Sequence, residues 1–316
     1  MDEVNRSIDF KEVIRALLDN SHPFPPKYLH SFSDISTKNL NSIRKIWDKV
    51  DPKRRAALVE DLEPLLEADT LLCFDDFAQL ALSDPEATVR SHAIRLLWES
   101  DDAHLIPIIS YLLENDPSDE VRAAAASGLG KFIYMGELDE IPANLLKKIE
   151  DQLLNVMRNS KNQEIQRKAL ESLGYSSRKE VAPFINKAFK EKDTRWLSSA
   201  LFAMGRSADR QWENQVVEMI EHYDEEVRIE AIRAAGELEL VSTREILIEK
   251  ATDETENWEI RMAAIWSLSQ IGGEDAREPL EDLLEKAEDE EEADIIEEAL
   301  DNLSFTDDQH TFGINL

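Results

Sequence analysis

Six histidines and one cysteine are the side chains of this 316-residue chain best suited to metal binding or nucleophilic attack. A metal site needs its ligands clustered at short spacing. His22, His30, His92, His104, His222 and His310 are instead scattered along the sequence, and no metal or other cofactor is expected. Cys73 sits in the apolar run Leu71-Leu72-Cys73-Phe74 and reads as a small core residue of a helix, not as a nucleophile. The adjacent acids Asp75 and Asp76 would point in different directions on a helix, so they form no paired-carboxylate site. There is no glycine-rich phosphate loop and no basic-aromatic RNA motif. No catalytic residue is assigned, and the chain reads as non-enzymatic.

Arginine is the residue whose placement has a pattern. Arg90, Arg122, Arg228 and Arg261 each follow a Val or Ile, a few residues after an acid such as Asp84, Asp116, Asp224 or Glu256. An anion site is one reading. A ladder from each guanidinium to acidic or carbonyl groups of the adjacent turn explains the same recurrence without a ligand, and is the expectation here.

The arginines belong to a repeat. Asp-Glu-Glu-Val227-Arg228-Ile-Glu-Ala231-Ile232 recurs as Val89-Arg90-Ser-His-Ala93-Ile94, Val121-Arg122-Ala-Ala-Ala125-Ala126 and Ile260-Arg261-Met-Ala-Ala264-Ile265. Looser copies start at Ile165 and Trp196, and the weakest at Arg54 and Ile295. The marker alanines Ala93, Ala125, Ala169, Ala200, Ala231, Ala264 and Ala299 lie 32, 44, 31, 31, 33 and 35 residues apart. The long interval holds an insertion around Gly136 and Pro142, then a long helix near 143–158. Counted from the Val or Ile, apolar residues fall at offsets 0, 4, 7, 8 and 11, one stripe of an α-helix. Gly130, Gly174, Gly205 and Gly236 stand at offset 9, where a positive φ or close packing can end the helix. Each marked segment is then the second helix of a pair. First helices are expected at 106–114, 181–190, 216–222, 244–251 and 276–288, with Pro107, Pro183 and Pro279 in opening turns where a missing N–H is harmless.

This pattern resembles HEAT repeats, in particular the short variety of phycobilisome lyase subunits, over residues 51 to about 303. The resemblance implies an all-α fold, a right-handed α-solenoid of antiparallel helix pairs with about eight repeats and the insertion near 136–160. Residues 1–50, with a helix near 9–19 and the Pro-rich turn His22–Tyr28, are expected to cap its first apolar face. Residues 304–316 read as a flexible tail. HEAT-type deoxyhypusine hydroxylases hold a di-iron site with His-Glu pairs, and this chain has no His-Glu dipeptide. Trp196, at offset 0, is expected in the core.

Offsets 2, 3 and 6 lie opposite the buried stripe, and one stretch of them is unusual for a solvent face. Arg95 is basic, while Phe202, Ile229, Arg233, Met262 and Trp266 make a strip of large apolar and guanidinium groups further along. Either neighbouring second helices bury these side chains, or they are anchors for a partner's peptide or helix, where aromatics, Met and Arg are favoured.

Composition narrows the function classes. Nine Gly and eleven Pro are too few for many tight β-turns. A net charge of −31 opposes phosphate, so no nucleic-acid partner is expected. Charge is uneven: residues 1–55 carry eleven Lys/Arg against eight Asp/Glu, whereas residues 251–316 carry three against twenty-one. The acidic end keeps the chain soluble and would draw in basic partners. No run approaches the ~18 apolar residues of a membrane span. With a single cysteine and no apolar leader after Met1, a cytoplasmic location is expected. The expected function is a scaffold or adaptor that binds a protein or peptide, with the oligomeric state open. The resemblance also implies two alternatives: an accessory subunit of a lyase or other modifying enzyme, and a HEAT-type DNA glycosylase, which the charge opposes.

Overall fold

A computed structural model describes residues 8–312, apart from Thr70 and Glu288; the side chains of residues 291 and 305–312 also lie outside the described set. All regular structure within it is helical. No described helix is long and apolar enough to cross a membrane. The chain divides into two compact units, Met1–Ala169 and Leu170–Leu316.

The first unit begins with α1 (Phe10–Leu18), a 3-10 turn (Pro26–Phe32) and α2 (Thr37–Arg44). It continues through α3 (Pro52–Ala68), α4 (Asp75–Ala81), α5 (Ala87–Arg95), α6 (Leu105–Asn115), α7 (Asp119–Glu137) and α8 (Ala143–Asn159) to α9 (Gln163–Leu173), within which the unit boundary falls. Helices α4 and α5 pair, as do α6 and α7, while α3, α5 and α7 stack side by side. The long repeat interval is spent on extending α7 to 19 residues and α8 to 17. Ahead of the stack, Phe32 and Trp47 close on Phe77 with ring centroids 4.7 and 5.5 Å away. The Trp47 indole N–H donates to Asp84 at 2.7 Å, and Arg55 pairs with the same carboxylate at 2.8 Å.

The second unit is more regular. It holds α10 (Ala182–Phe189), α11 (Thr194–Arg206), α12 (Glu213–Met219), α13 (Glu225–Glu237), α14 (Arg244–Thr252), α15 (Trp258–Ile271), α16 (Glu274–Lys286) and α17 (Glu290–Phe312). These pair in order, and α11, α13, α15 and α17 stack side by side. Acidic or amide caps start the second helices: Asp193 accepts from the N–H of Arg195, Asp224 from that of Val227 and Asn257 from that of Glu259.

Close packing, not a positive φ, explains Gly174, Gly205 and Gly236 at offset 9, whereas α7 runs on past Gly130 to Glu137. A Cβ on Gly174 would stand 2.7 Å from the Ala203 Cα, and one on Gly236 would stand 2.8 Å from the Ser267 Cα. Neither glycine is left-handed; positive φ occurs only at Gly272 and Gly273 among the described glycines. The second helices of this unit approach backbone to backbone because a side chain is missing there.

The arginines form the ladder that their spacing suggested. Arg90 grips Asp116 with two bonds of 2.8 Å and donates to the carbonyls of Asp84 and Pro85. Arg122 donates to the Leu113 carbonyl and Arg228 to that of His222. Arg261 reaches Glu292 at 2.6 Å and the Ala251 carbonyl at 3.3 Å. Each guanidinium thus ties its own helix pair together or to the next pair.

Four local expectations need correction. Cys73 is neither helical nor buried: the Asp69 carboxylate accepts from the Leu71 N–H and turns the chain, and α4 starts only at Asp75. Trp196 is half-buried, because Leu197 takes the buried position in the first turn of α11. Pro279 lies inside α16, not in its opening turn, since the helix already starts at Glu274. Helix α17 runs to Phe312 through most of the segment read as a tail, whose last four residues are outside the described set.

Replacing Arg90 by Ala would leave Asp116, whose side chain is only 4% exposed, without its counter-charge. The expected loss is roughly 3–5 kcal/mol, seen as an earlier urea midpoint. An unchanged midpoint would show that the ladder adds nothing to stability.

Candidate functional site

Stacking in register places equivalent offsets of consecutive second helices side by side. Offset 6 is Phe202 on α11, Arg233 on α13 and Trp266 on α15. In the second unit these three, with Met262, line a cleft of about 470 Å³. Its other walls come from Arg206, Glu230, Glu237, Trp258 and Glu259, and from Ile295 of α17. Trp258, Met262 and Trp266 follow one another at intervals of four on α15, which puts them on one helix face. Trp258 is 40% exposed and Trp266 38%. Two indoles left open to solvent beside an otherwise buried stack are an unusual expenditure of apolar surface.

The opposite wall is ionic. The Arg206 guanidinium stacks 5.0 Å from the Phe202 ring and 5.6 Å from that of Tyr175, and pairs with Glu237 at 3.1 Å. Arg233 reaches Glu230 at 3.3 Å. The carboxylates are the deeper partners: Glu237 and Glu230 side chains are 16% and 21% exposed, against 37% for Arg206 and 53% for Arg233. Burial pushes the Glu237 carboxyl up to about 7; Arg206 opposes this, the Glu230 charge adds to it and Arg233 opposes it again. Glu230 is raised as well, first by burial, with Arg233 opposing and Glu171 adding. Gly205 makes room for this arrangement, since a Cβ there would meet the Glu237 Oε2 at 2.5 Å.

Two candidates fall outside the cleft. Ile229 is buried at 7% exposure on α13, which packs against both α11 and α15, whereas Met262 at the same offset of α15 stays in the cleft lining. Arg95 belongs to the first unit, where with Glu63, Leu66, Glu67, Trp98 and Glu99 it lines a separate cleft of about 450 Å³. There His92 Nδ1 lies 2.5 Å from Glu63 Oε1 and Arg95 lies 3.6 Å from the same oxygen. Sequence reasoning missed Arg206, Glu237 and Trp258. The signal was present: Arg206 and Glu237 stand four residues after the offset-6 positions, and Trp258 four before Met262. No group of three or more His, Cys, Asp or Glu among the described residues is placed to hold a metal ion.

A family model for HEAT repeats matches residues 74–148 and 213–301, together just over half of the chain. The chain belongs to the HEAT-repeat family. No curated protein matches the sequence. Solved HEAT-type structures resemble it at low identity. The complex of CpcE and CpcF of phycocyanin lyase from Nostoc is 19% identical, covers 72% of this chain and 94% of that one, and has a TM-score of 0.49. Importin beta is 12% identical over 93% of this chain and 46% of its own, with a TM-score of 0.45. Human deoxyhypusine hydroxylase is 15% identical over 94% and 96%, with a TM-score of 0.39.

A carboxyl whose folded pKa is raised binds its proton more tightly folded than unfolded, so it lowers stability as pH rises from the unfolded value of about 4.5 to about 7. Glu237→Gln removes that penalty. At pH 8 the variant should be more stable than the native chain by on the order of 1–3 kcal/mol in thermal or urea unfolding, and at pH 5 the two should nearly coincide. A variant less stable at pH 8 would mean that the Arg206 pairing outweighs burial.

Proposed function

We propose that this HEAT-repeat protein is a scaffold or adaptor that docks a segment of a partner protein in the cleft of α11, α13, α15 and α17. The observation that carries this reading is the Trp258–Met262–Trp266 face of α15. It is held open to solvent opposite Phe202, in a cleft with ionic groups on its other wall. Protein interfaces concentrate affinity in aromatic, Met and Arg anchors set in a partly desolvated recess. A recess of this size takes two or three side chains of an extended or helical segment, not a whole domain. Phe202, Arg233, Met262 and Trp266 are the proposed anchors, joined by Trp258. Ile229 packs the wall behind them, and Arg95 is not among the residues that line this cleft.

The test is affinity capture from native lysate with the native chain, the Phe202→Ala/Trp266→Ala variant and a Tyr111→Ala control. Tyr111 is 65% exposed and lies in the first unit. Mass spectrometry should find a partner that is lost at least tenfold in the double variant and retained by the control. Equal recovery in all three would remove the cleft from the interaction.

A further inference from the structure

The cleft contains more than apolar anchors, and its charges are arranged in depth. Glu230 and Glu237 lie on the floor, seven residues apart on α13 and therefore on one face of that helix. Their arginine partners are the more exposed members of both pairs. Glu259, one residue after Trp258, adds a third carboxylate to the lining, against two guanidinium groups. The balance of the surrounding unit is far more lopsided: residues 170–316 carry thirty-seven Asp/Glu and fifteen Lys/Arg. A negative field therefore converges on a recess with indole rings on one wall and half-desolvated carboxylates beneath. Indole faces attract cations, and desolvated carboxylates gain most from one. An anionic side chain entering the same recess would meet both the floor charges and the field of the unit.

Resting on the docking reading above, we infer that the segment bound in this cleft presents a basic side chain, Lys or Arg, whose charge sits at Glu230 and Glu237 and whose stem lies along Trp258, Met262 and Trp266. The long stem of either residue suits an apolar wall that leads to a charged floor. Proton linkage follows from the same geometry. Glu237 is faced by Arg206 from α11 and by Glu230 and Arg233 from α13, and Glu259 of α15 lines the same cleft. A bound cation favours its ionised form, so binding tightens as pH rises through the neutral range.

The probe is a set of fluorescein-labelled twelve-residue peptide pools that share apolar flanks and differ in one central residue: Lys, Arg, Gln, Glu or phosphoserine. Binding to the full chain is read by fluorescence polarisation at pH 6 and pH 8. The Lys and Arg pools should bind at least tenfold more tightly than the Gln pool at pH 8. They should lose most of that preference at pH 6, and lose it at both pH values in Glu237→Gln and in Glu230→Gln. Both variants are near-isosteric, and circular dichroism of each is to match that of the native chain before binding is read. Preference for the Glu or phosphoserine pool, abolished by Arg233→Gln, would overturn the basic-residue inference while leaving docking in place. Equal affinity across the pools, or binding of none, would overturn it too, and the capture experiment would then decide alone whether the cleft docks a protein.

Discussion

Second helices can stack at the spacing seen in the second unit only if nothing stands between their backbones. Gly174 against Ala203 and Gly236 against Ser267 mark where that condition is met, and a single methyl group would break it. Everything else in the unit follows from this approach. It brings α11, α13 and α15 into register and buries offsets 4, 7 and 8 of each, along with Val227, Ile229 and Ile260. The Arg ladder adds a second constraint at the helix starts, where each guanidinium satisfies carbonyls that the turns leave open.

Register also decides what the exposed face contains. With offset 6 aligned across three helices, Phe202, Arg233 and Trp266 become neighbours although more than thirty residues separate each from the next. The residues one turn away, Arg206 and Glu237, then complete an ionic wall, and Trp258 and Met262 extend the apolar one. The site is built from the repeat, with each repeat contributing a different side chain at the same offset. Its electrostatics come from the same crowding. Glu237 is pressed against Gly205 and screened from water, and its proton affinity rises even though Arg206 is 3.1 Å away.

Most of the architecture was legible in the sequence because a repeat reports its packing many times over. The marker alanines, the ladder arginines and the first helices all recur, so an error in one copy is corrected by the others. Errors came where one copy departs from the repeat or where no repeat applies. Cys73 sits in an apolar run too short for a helix, which an Asp turn leaves exposed. Trp196 stands at a helix start, where the stripe has not yet been established. The site was half legible: offset 6 pointed to its centre, but offsets 10 and −2 reach it only because the helices lie so close, and that distance is not written in hydropathy. The 51–303 boundaries follow the repeat pattern, whereas the division into two units falls within α9, where no break in the pattern announces it.

The most direct test is to replace Trp266 by a photo-crosslinking phenylalanine analogue in the native host, with the same analogue at Tyr111 as reference. Docking in the cleft predicts one dominant adduct from position 266, mapping to a short segment of a partner with a Lys or Arg beside the crosslinked residue, and none like it from position 111. Adducts of equal yield and diverse identity from both positions, or none from 266, would contradict it.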